Sequence, residues 1–137
     1  MIKIKKLNHR YNNRKENAVR DVSLHIRRGE NVAIIGSSGS GKSTLLKCMN
    51  KLIEPTSGNI LINDEDIINA NKNDVNRIRS KIGMIFQNFN LIERNTVLSN
   101  VLNGRLSYNN SLSTLFGRFS KEDHLIANEN LKRVGLT

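Results

Sequence analysis

The spacing of apolar residues predicts a β-hairpin at the start of the chain. Ile2, Ile4 and Leu7 have lysines between them, and apolar side chains alternate with polar ones over residues 22–26. Such alternation is typical of a strand that buries one face and exposes the other. The polar stretch between them, residues 12–17, predicts a hairpin loop, and Asn59–Asn63 alternates in the same way. We therefore expect an antiparallel β arm with one buried face.

Two further segments predict strands that are covered on both sides. Asn31–Ile35 ends in four consecutive apolar residues, and Ile82–Phe86 is a second apolar run. Short apolar runs of this kind are typical of central strands in a sheet with helices on both faces. Helical patterns follow at Lys42–Met49, Lys72–Ser80 and Thr96–Leu102. This mixture of strands and helices predicts an α/β domain.

The last predicted helix, Ser120–Val134, has a defined start and a defined stop. Ser120, followed three residues later by Asp123, resembles a capping box, and Gly135 is suited to end the helix. Its apolar stripe is made of three residues: Leu125, Leu131 and Val134.

The clearest chemical motif lies between the first apolar strand and the first helix. The loop of residues 36–44 contains G-x-x-x-x-G-K-[ST] in full: Gly36, Ser37, Ser38, Gly39, Ser40, Gly41, Lys42, Ser43 and Thr44. Glycines let backbone N–H groups converge on one anion, and the helix N-terminus adds its own unpaired N–H groups. Lys42 can bridge the β- and γ-phosphates, and the Ser43 hydroxyl can ligate Mg²⁺, which prefers oxygen. We therefore predict a nucleoside triphosphate site with ATP and Mg²⁺ as its ligands.

Charge and composition narrow the partners of such a domain. The chain has 137 residues, enough for one domain, and a net charge of +10. A basic balance favours polyanionic ligands, but the basic residues are scattered, and aromatic residues make up only 4%, too few for a base-stacking surface. No nucleic-acid partner is expected. No run approaches the roughly 18 apolar residues of a membrane span, so we expect a cytoplasmic protein.

The cysteine and the histidines suggest no further chemistry. Cys48 lies among apolar residues of a predicted helix, and we interpret it as a buried, inert thiol. A reactive thiol remains the alternative, and it would need a nearby cation and solvent access. The three histidines lack ligand-like spacing, and His25 and His124 are interpreted as structural or solvated.

Five segments together give the sequence its resemblance to the ATP-binding subunits of ABC transporters: Tyr11, Arg28–Glu30, the phosphate loop, Pro55–Gly58 and Gly83–Gln87. The resemblance covers nearly the whole chain, from Met1 to Leu136. It implies that Tyr11 stacks on adenine. It also implies that Gln87 contacts Mg²⁺ and the attacking water and couples the site to the membrane subunits.

The later part of the chain looks like the phosphonate-importer branch of that family. The resembling segments are Asn90–Arg94, Thr96–Leu98, Asn100–Leu102, Gly104–Leu106, Leu115–Ser120 and Glu122–Asp123. Importers of amino acids and of methionine share the phosphate loop and the Gln87 segment but resemble this later part less. Phosphonates are therefore the expected cargo, and another small solute such as an amino acid is the alternative.

The resemblance also implies catalytic parts that the sequence lacks. No Leu-Ser-Gly-Gly-Gln signature, no later strand ending in Asp-Glu and no switch histidine occur in the chain. Ile60–Glu65 is an apolar run that ends in acids, but it alternates and precedes Gln87, so we do not expect Glu65 to be the base. We expect no catalytic residue here, at most weak ATP binding and negligible hydrolysis by the chain alone.

The expected architecture is thus an α/β P-loop NTPase core of ABC type with an antiparallel β subdomain, truncated before the signature motif and the Walker B strand. Residues 1–90 would form the phosphate-loop core and β arm, and residues 91–137 the start of a helical subdomain. A complete subunit would pair with a second ATP-binding subunit and drive two membrane permease subunits at the cytoplasmic face of the membrane. An extracytoplasmic solute-binding protein would deliver the cargo.

Two further alternatives stay open at this point. One is a non-catalytic remnant that retains the motif without activity. The other is a nucleic-acid-associated ABC ATPase, which the net charge of +10 favours.

Overall fold

The computed structural model describes residues 1–13, 15–88, 90–108 and 117–136. These residues form two compact units, Met1–Ile82 and Gly83–Thr137. The predicted division at residue 90 stays a prediction. Within the described ranges, no helix combines the length and apolarity needed to cross a membrane.

An antiparallel sheet forms the first unit together with two helices. Its strands are β1 (Ile2–His9), β2 (Val19–Ile26), β3 (Ser57–Ile62) and β4 (Glu65–Asp66). Their order is β2-β1-β3-β4, and every neighbouring pair is antiparallel. The alternating segments therefore form the predicted β arm. Alternation succeeds here because each strand buries only one face.

Two helices cover the buried face of this sheet. Helix α1 spans Lys42–Met49 and helix α2 spans Lys72–Arg79, as their spacing predicts. Their buried side chains belong to one apolar cluster with those of the sheet: Ile4, Leu7, Val19, Leu45, Cys48, Ile60, Ile62, Ile67, Val75 and Ile78. This core holds α1, and therefore the loop that precedes it, against β1.

Both strands of the first hairpin carry a bulge. Lys6 and Asp21 each have a φ of 46°, and the register of β1 with β2 shifts between Ile4 and His9. The Asn8 side chain donates to the Lys6 carbonyl and accepts from the Asp21 N–H, each at 2.9 Å. Bulges of this kind bend a strand and increase its local twist.

The second unit contains helix α3 (Val97–Asn103), a 3₁₀ turn (Leu106–Tyr108) and helix α4 (Lys121–Arg133). The capping box at Ser120 is confirmed, since its side chain accepts from the Asp123 N–H and the Asp123 side chain accepts from the Ser120 N–H. The segment 115–116, which contributes to the resemblance, lies outside the described residues.

The apolar stripe of α4 is not the buried face of that helix. Leu125 and Val134 are 65% and 69% exposed, and Leu131 is only partly buried. The buried residues of this helix are Asp123 and Ala127 instead. The reason is that Arg105 beside α3 pairs with the Asp123 carboxylate at 2.7 Å, and small Ala127 lies on the buried side.

The two predicted central strands are also absent from the described structure. Residues 31–37 and 82–86 make no ladder, and Ile35 and Ile85 are 93% and 99% exposed. A strand exists only where a neighbour accepts and donates its backbone hydrogen bonds. None of the described segments pairs with either run, so their apolar character does not lead to a sheet.

Candidate functional site

The glycine loop takes its shape from two residues with left-handed backbone angles. Gly39 and Gly41 have φ values of 79° and 91°, and α1 begins directly afterwards at Lys42. Residues with a Cβ rarely adopt such angles. The loop therefore enters the helix through a turn that only glycine makes without strain.

Gly41 is also fixed by a close approach from the hairpin. A Cβ built on Gly41 would lie 2.1 Å from the Ala18 carbonyl oxygen, far inside any permitted contact. The approach of Ala18 could not be predicted from the sequence, because it joins residues that are distant along the chain. The hairpin backbone therefore lies directly against the start of α1 and leaves no room for a side chain at residue 41.

Lys42 directs its ammonium group into the loop. Its Nζ donates to the carbonyl oxygens of Gly36 at 2.8 Å and Ser37 at 2.7 Å, and to Ser40 Oγ at 3.3 Å. These partners are neutral acceptors. The charge is thus held within the loop, where the oxygens of a triphosphate would replace weaker partners with charged ones.

Tyr11 lies beside the loop, and its stacking on adenine stays a prediction. Its hydroxyl lies 3.2 Å from Thr44 Oγ1 in the first turn of α1. A cleft of about 410 Å³ opens there, lined by Tyr11, Asn13, Ala18, Gly39, Ser40, Gly41, Lys42, Ser43 and Thr44. The side chains that sequence reasoning missed, Asn13 and Ala18, come from the hairpin. A second cleft continues along residues 15–18 to Gly39 and Ser40.

The two predicted metal ligands lie in different units. Ser43 is exposed on the first turn of α1, and Gln87 is exposed in the second unit. A hydroxyl and an amide oxygen are both donors that suit Mg²⁺. Their joint ligation of one ion stays a prediction. Among the described residues, no cluster of three or more His, Cys, Asp or Glu side chains forms a metal site.

Glu65 serves as an ion-pair partner in the arm. It lies on β4, and its carboxylate accepts from Arg77 at 2.5 Å and from Lys81 at 2.9 Å. Hydrogen bonds from Arg77 and then Lys81 lower the pKa of Glu65 to about 2. β3 and β4 pair antiparallel, with Ile62 opposite Glu65, so this segment is a hairpin. A carboxylate held this strongly in its ionised form is a poor proton acceptor.

Taken together, the left-handed glycines, the inward lysine and the helix that opens behind them define a phosphate-loop domain of the nucleotide-binding class. The antiparallel arm beside that loop points to one family within this class. The chain belongs to the ABC transporter family, whose family model matches residues 19–137.

Similar proteins agree with that assignment. The chain is 48% identical over 118 residues to the phosphonates import ATP-binding protein PhnC 2 of Halalkalibacterium halodurans, covering 86% of this chain and 48% of that protein. It is 51% identical over 116 residues to the PhnC protein of Bacillus cereus, covering 85% and 45%. The chain spans about half the length of the curated relatives it matches.

A solved structure shares the fold as well. It is a dimeric ATP-binding cassette in a post-hydrolysis state, bound to ADP and Pi. The TM-score is 0.80 at 36% identity, over 96% of this chain and 56% of that one. This similarity assigns the described β arm, loop and helices to the ATP-binding cassette fold.

Proposed function

We propose that this chain is the nucleotide-binding portion of the ATP-binding subunit of an ABC importer, with phosphonates as the cargo. The observation that supports nucleotide binding is the inward Lys42 ammonium at the mouth of α1. What supports the cargo is the name shared by the similar proteins, which are phosphonate import ATP-binding proteins. The cargo itself would not touch this subunit.

Different residues of the cleft would bind different parts of ATP. Backbone N–H groups of the loop and of the first turn of α1 would donate to the phosphate oxygens, and Lys42 would bridge the β- and γ-phosphates. The Tyr11 ring would stack on the adenine. Ser43 and Gln87 would hold Mg²⁺, which neutralises developing charge when it is bound.

Hydrolysis requires parts beyond these residues. The sequence has no signature motif and no later strand ending in Asp-Glu, so neither the base nor the contact to a partner subunit's nucleotide is supplied. We propose that a complete subunit hydrolyses ATP as a dimer with two permease subunits, at the cytoplasmic face of the membrane, and that this chain alone turns over far below about 1 s⁻¹.

The nucleotide site is tested by replacing Lys42. Lys42→Ala is expected to weaken ATP binding at least tenfold in a calorimetric titration, because a charge-assisted hydrogen bond contributes roughly 1.5–3 kcal/mol. Lys47→Ala is the matched control, since Lys47 is an exposed lysine of the same helix and lies outside the cleft. Equal affinity in the Lys42→Ala variant and the wild type would refute the assignment.

The cargo is tested with a hybrid subunit. Residues 1–137 replace the matching part of the Bacillus cereus relative in cells that lack their own copy of that protein. Growth on a phosphonate as the sole phosphorus source is the expected result, with a Lys42→Ala hybrid as the inactive control. No growth from a hybrid that is produced and binds ATP would count against phosphonate import and leave the nucleotide site intact.

A further inference from the structure

His9, the last residue of β1, is the buried histidine of the described residues, whereas His25 and His124 are exposed. Its Nδ1 lies 3.0 Å from the Glu54 carbonyl oxygen. A carbonyl oxygen only accepts, so Nδ1 carries a proton. In the neutral ring Nε2 is then an acceptor, and within the described residues it has no hydrogen-bond partner. Burying an unpaired acceptor opposes folding. A histidine at this position must therefore contribute something other than a hydrogen bond at Nε2.

The His9 ring packs against the ring of Tyr11, which lines the cleft. The ring centroids of His9 and Tyr11 are 4.7 Å apart, and the two planes are nearly perpendicular at 88°. This is a favoured edge-to-face geometry for rings. The Tyr11 hydroxyl is held separately by Thr44, at 3.2 Å. The tyrosine is thus fixed at its tip by α1 and along its ring by the imidazole.

His9 also contacts both the hairpin and the segment that follows helix α1. Its carbonyl oxygen accepts from the Ala18 N–H at 2.8 Å, which closes the hairpin whose Ala18 carbonyl contacts Gly41. Its ring binds Glu54, which lies beyond the far end of α1. His9 therefore links the base of the hairpin, through its backbone, and the segment that follows α1, through its ring.

We propose that His9 is a positioning residue for base recognition, which orients the Tyr11 ring for stacking without touching the nucleotide. The proposal rests on the proposed function, in which Tyr11 is the platform for adenine. A tyrosine ring that is ordered before binding loses less conformational freedom when a base stacks on it. The contribution of His9 is therefore confined to the base and does not extend to the phosphates.

The test compares ATP with inorganic tripolyphosphate, which carries the same phosphate chain without a base. His9→Asn retains a side-chain N–H donor but removes the ring. It is expected to weaken ATP binding about threefold to tenfold, the size of a lost aromatic pair, and to leave tripolyphosphate affinity unchanged. His9→Phe retains the ring and should restore most of the ATP affinity. His25→Asn, on the exposed face of β2, should change neither.

The outcomes separate this proposal from a purely structural histidine. Equal loss of ATP and tripolyphosphate binding in His9→Asn would mean that the residue only maintains the fold, and the proposal would be wrong. If the wild type binds neither ATP nor tripolyphosphate, both the proposed function and the role of His9 are wrong. Should His9→Asn not fold, His9→Gln fills more of the ring's volume and is held to the same comparison.

Tyrosine emission supplies an independent readout. The chain has two tyrosines and no tryptophan, so in a Tyr108→Phe background all such emission comes from Tyr11. Removing the imidazole should lower the anisotropy of that emission, since the ring gains freedom to move. Unchanged anisotropy in the folded His9→Asn or His9→Gln variant would contradict a positioning role.

Discussion

Cys48 shows how its surroundings set the reactivity of a thiol. The residue is fully buried in the apolar core, and burial, followed by the charge of Glu54, raises its pKa to about 11. We expect its native-state reaction with a disulfide reagent at pH 8 to be on the order of 100-fold slower than in the unfolded chain, because so little thiolate is present. Complete labelling of the folded chain within the mixing time would contradict this.

Gly41 offers a test of the loop at the level of one atom. Gly41→Ala adds a Cβ that would lie 2.1 Å from the Ala18 carbonyl oxygen, at a φ of 91°. We expect ATP binding to be lost and the free energy of unfolding to fall by about 1–3 kcal/mol. Gly29→Ala is the matched control, since Gly29 has a φ of 75° but no atom within 4 Å of its Cβ position. Urea denaturation of both variants measures the difference, and equal losses would remove the role of the Ala18 contact.

Among the elements, α4 begins at a capping box that can be tested by substitution. Ser120 accepts from the Asp123 N–H at 3.0 Å and donates to the Asp123 carboxylate at 2.8 Å. Ser120→Ala removes both bonds and should lower the free energy of unfolding of its unit by about 1 kcal/mol. Thermal unfolding followed by circular dichroism measures the change. Lys121→Ala, an exposed control in the same turn, should have little effect, and equal melting of the two variants would exclude the capping role.

Half-exposed elements could be predicted from the sequence, and fully apolar ones could not. Alternation identified β1, β2 and β3, because one face of each strand lies against a core that the same unit supplies. The run Val32–Ile35 has no neighbouring strand in the described structure, and apolar character alone does not create one. On α4 a charge pair to Arg105 selected the buried side, which helical periodicity does not encode.

Some residues of the candidate site could likewise be predicted from the sequence, and others could not. The motif predicted residues 36–44 because the phosphate loop is local in sequence, and Tyr11 came from family resemblance. Ala18 and Asn13 entered only with the structure, since each meets the loop across more than twenty residues. The contact of the His9 ring with Glu54 spans 45 residues and could not be predicted either. Contacts of that range follow from strand register and bulges, which alternation does not specify.

The stability of the whole chain should depend on pH through Glu65. Its pKa in the folded state is lowered from 4.5 to about 2 by hydrogen bonds from Arg77 and Lys81. A lowered pKa stabilises the folded state above about pH 4.5, and this contribution is lost as the pH falls from 4.5 towards 2. Glu65→Gln should therefore be less stable than the wild type at pH 7, and the two should converge in acid.

Urea midpoints measured from pH 7 to pH 3 would show this convergence. Glu129→Gln provides the control, because it makes the same change at an exposed carboxylate on α4. A constant difference between Glu65→Gln and wild type across the range would show that ionisation of Glu65 does not stabilise the fold.

The exposed segment 32–35 also bears on how long such a chain would survive inside a cell. Its four apolar residues are accessible and make no ladder hydrogen bonds in the described structure. Chaperones and proteases act on polypeptides that present apolar surface of this kind. Unless another polypeptide segment covers it, we expect the cellular amount of this chain to be set by its rate of degradation as much as by its rate of synthesis.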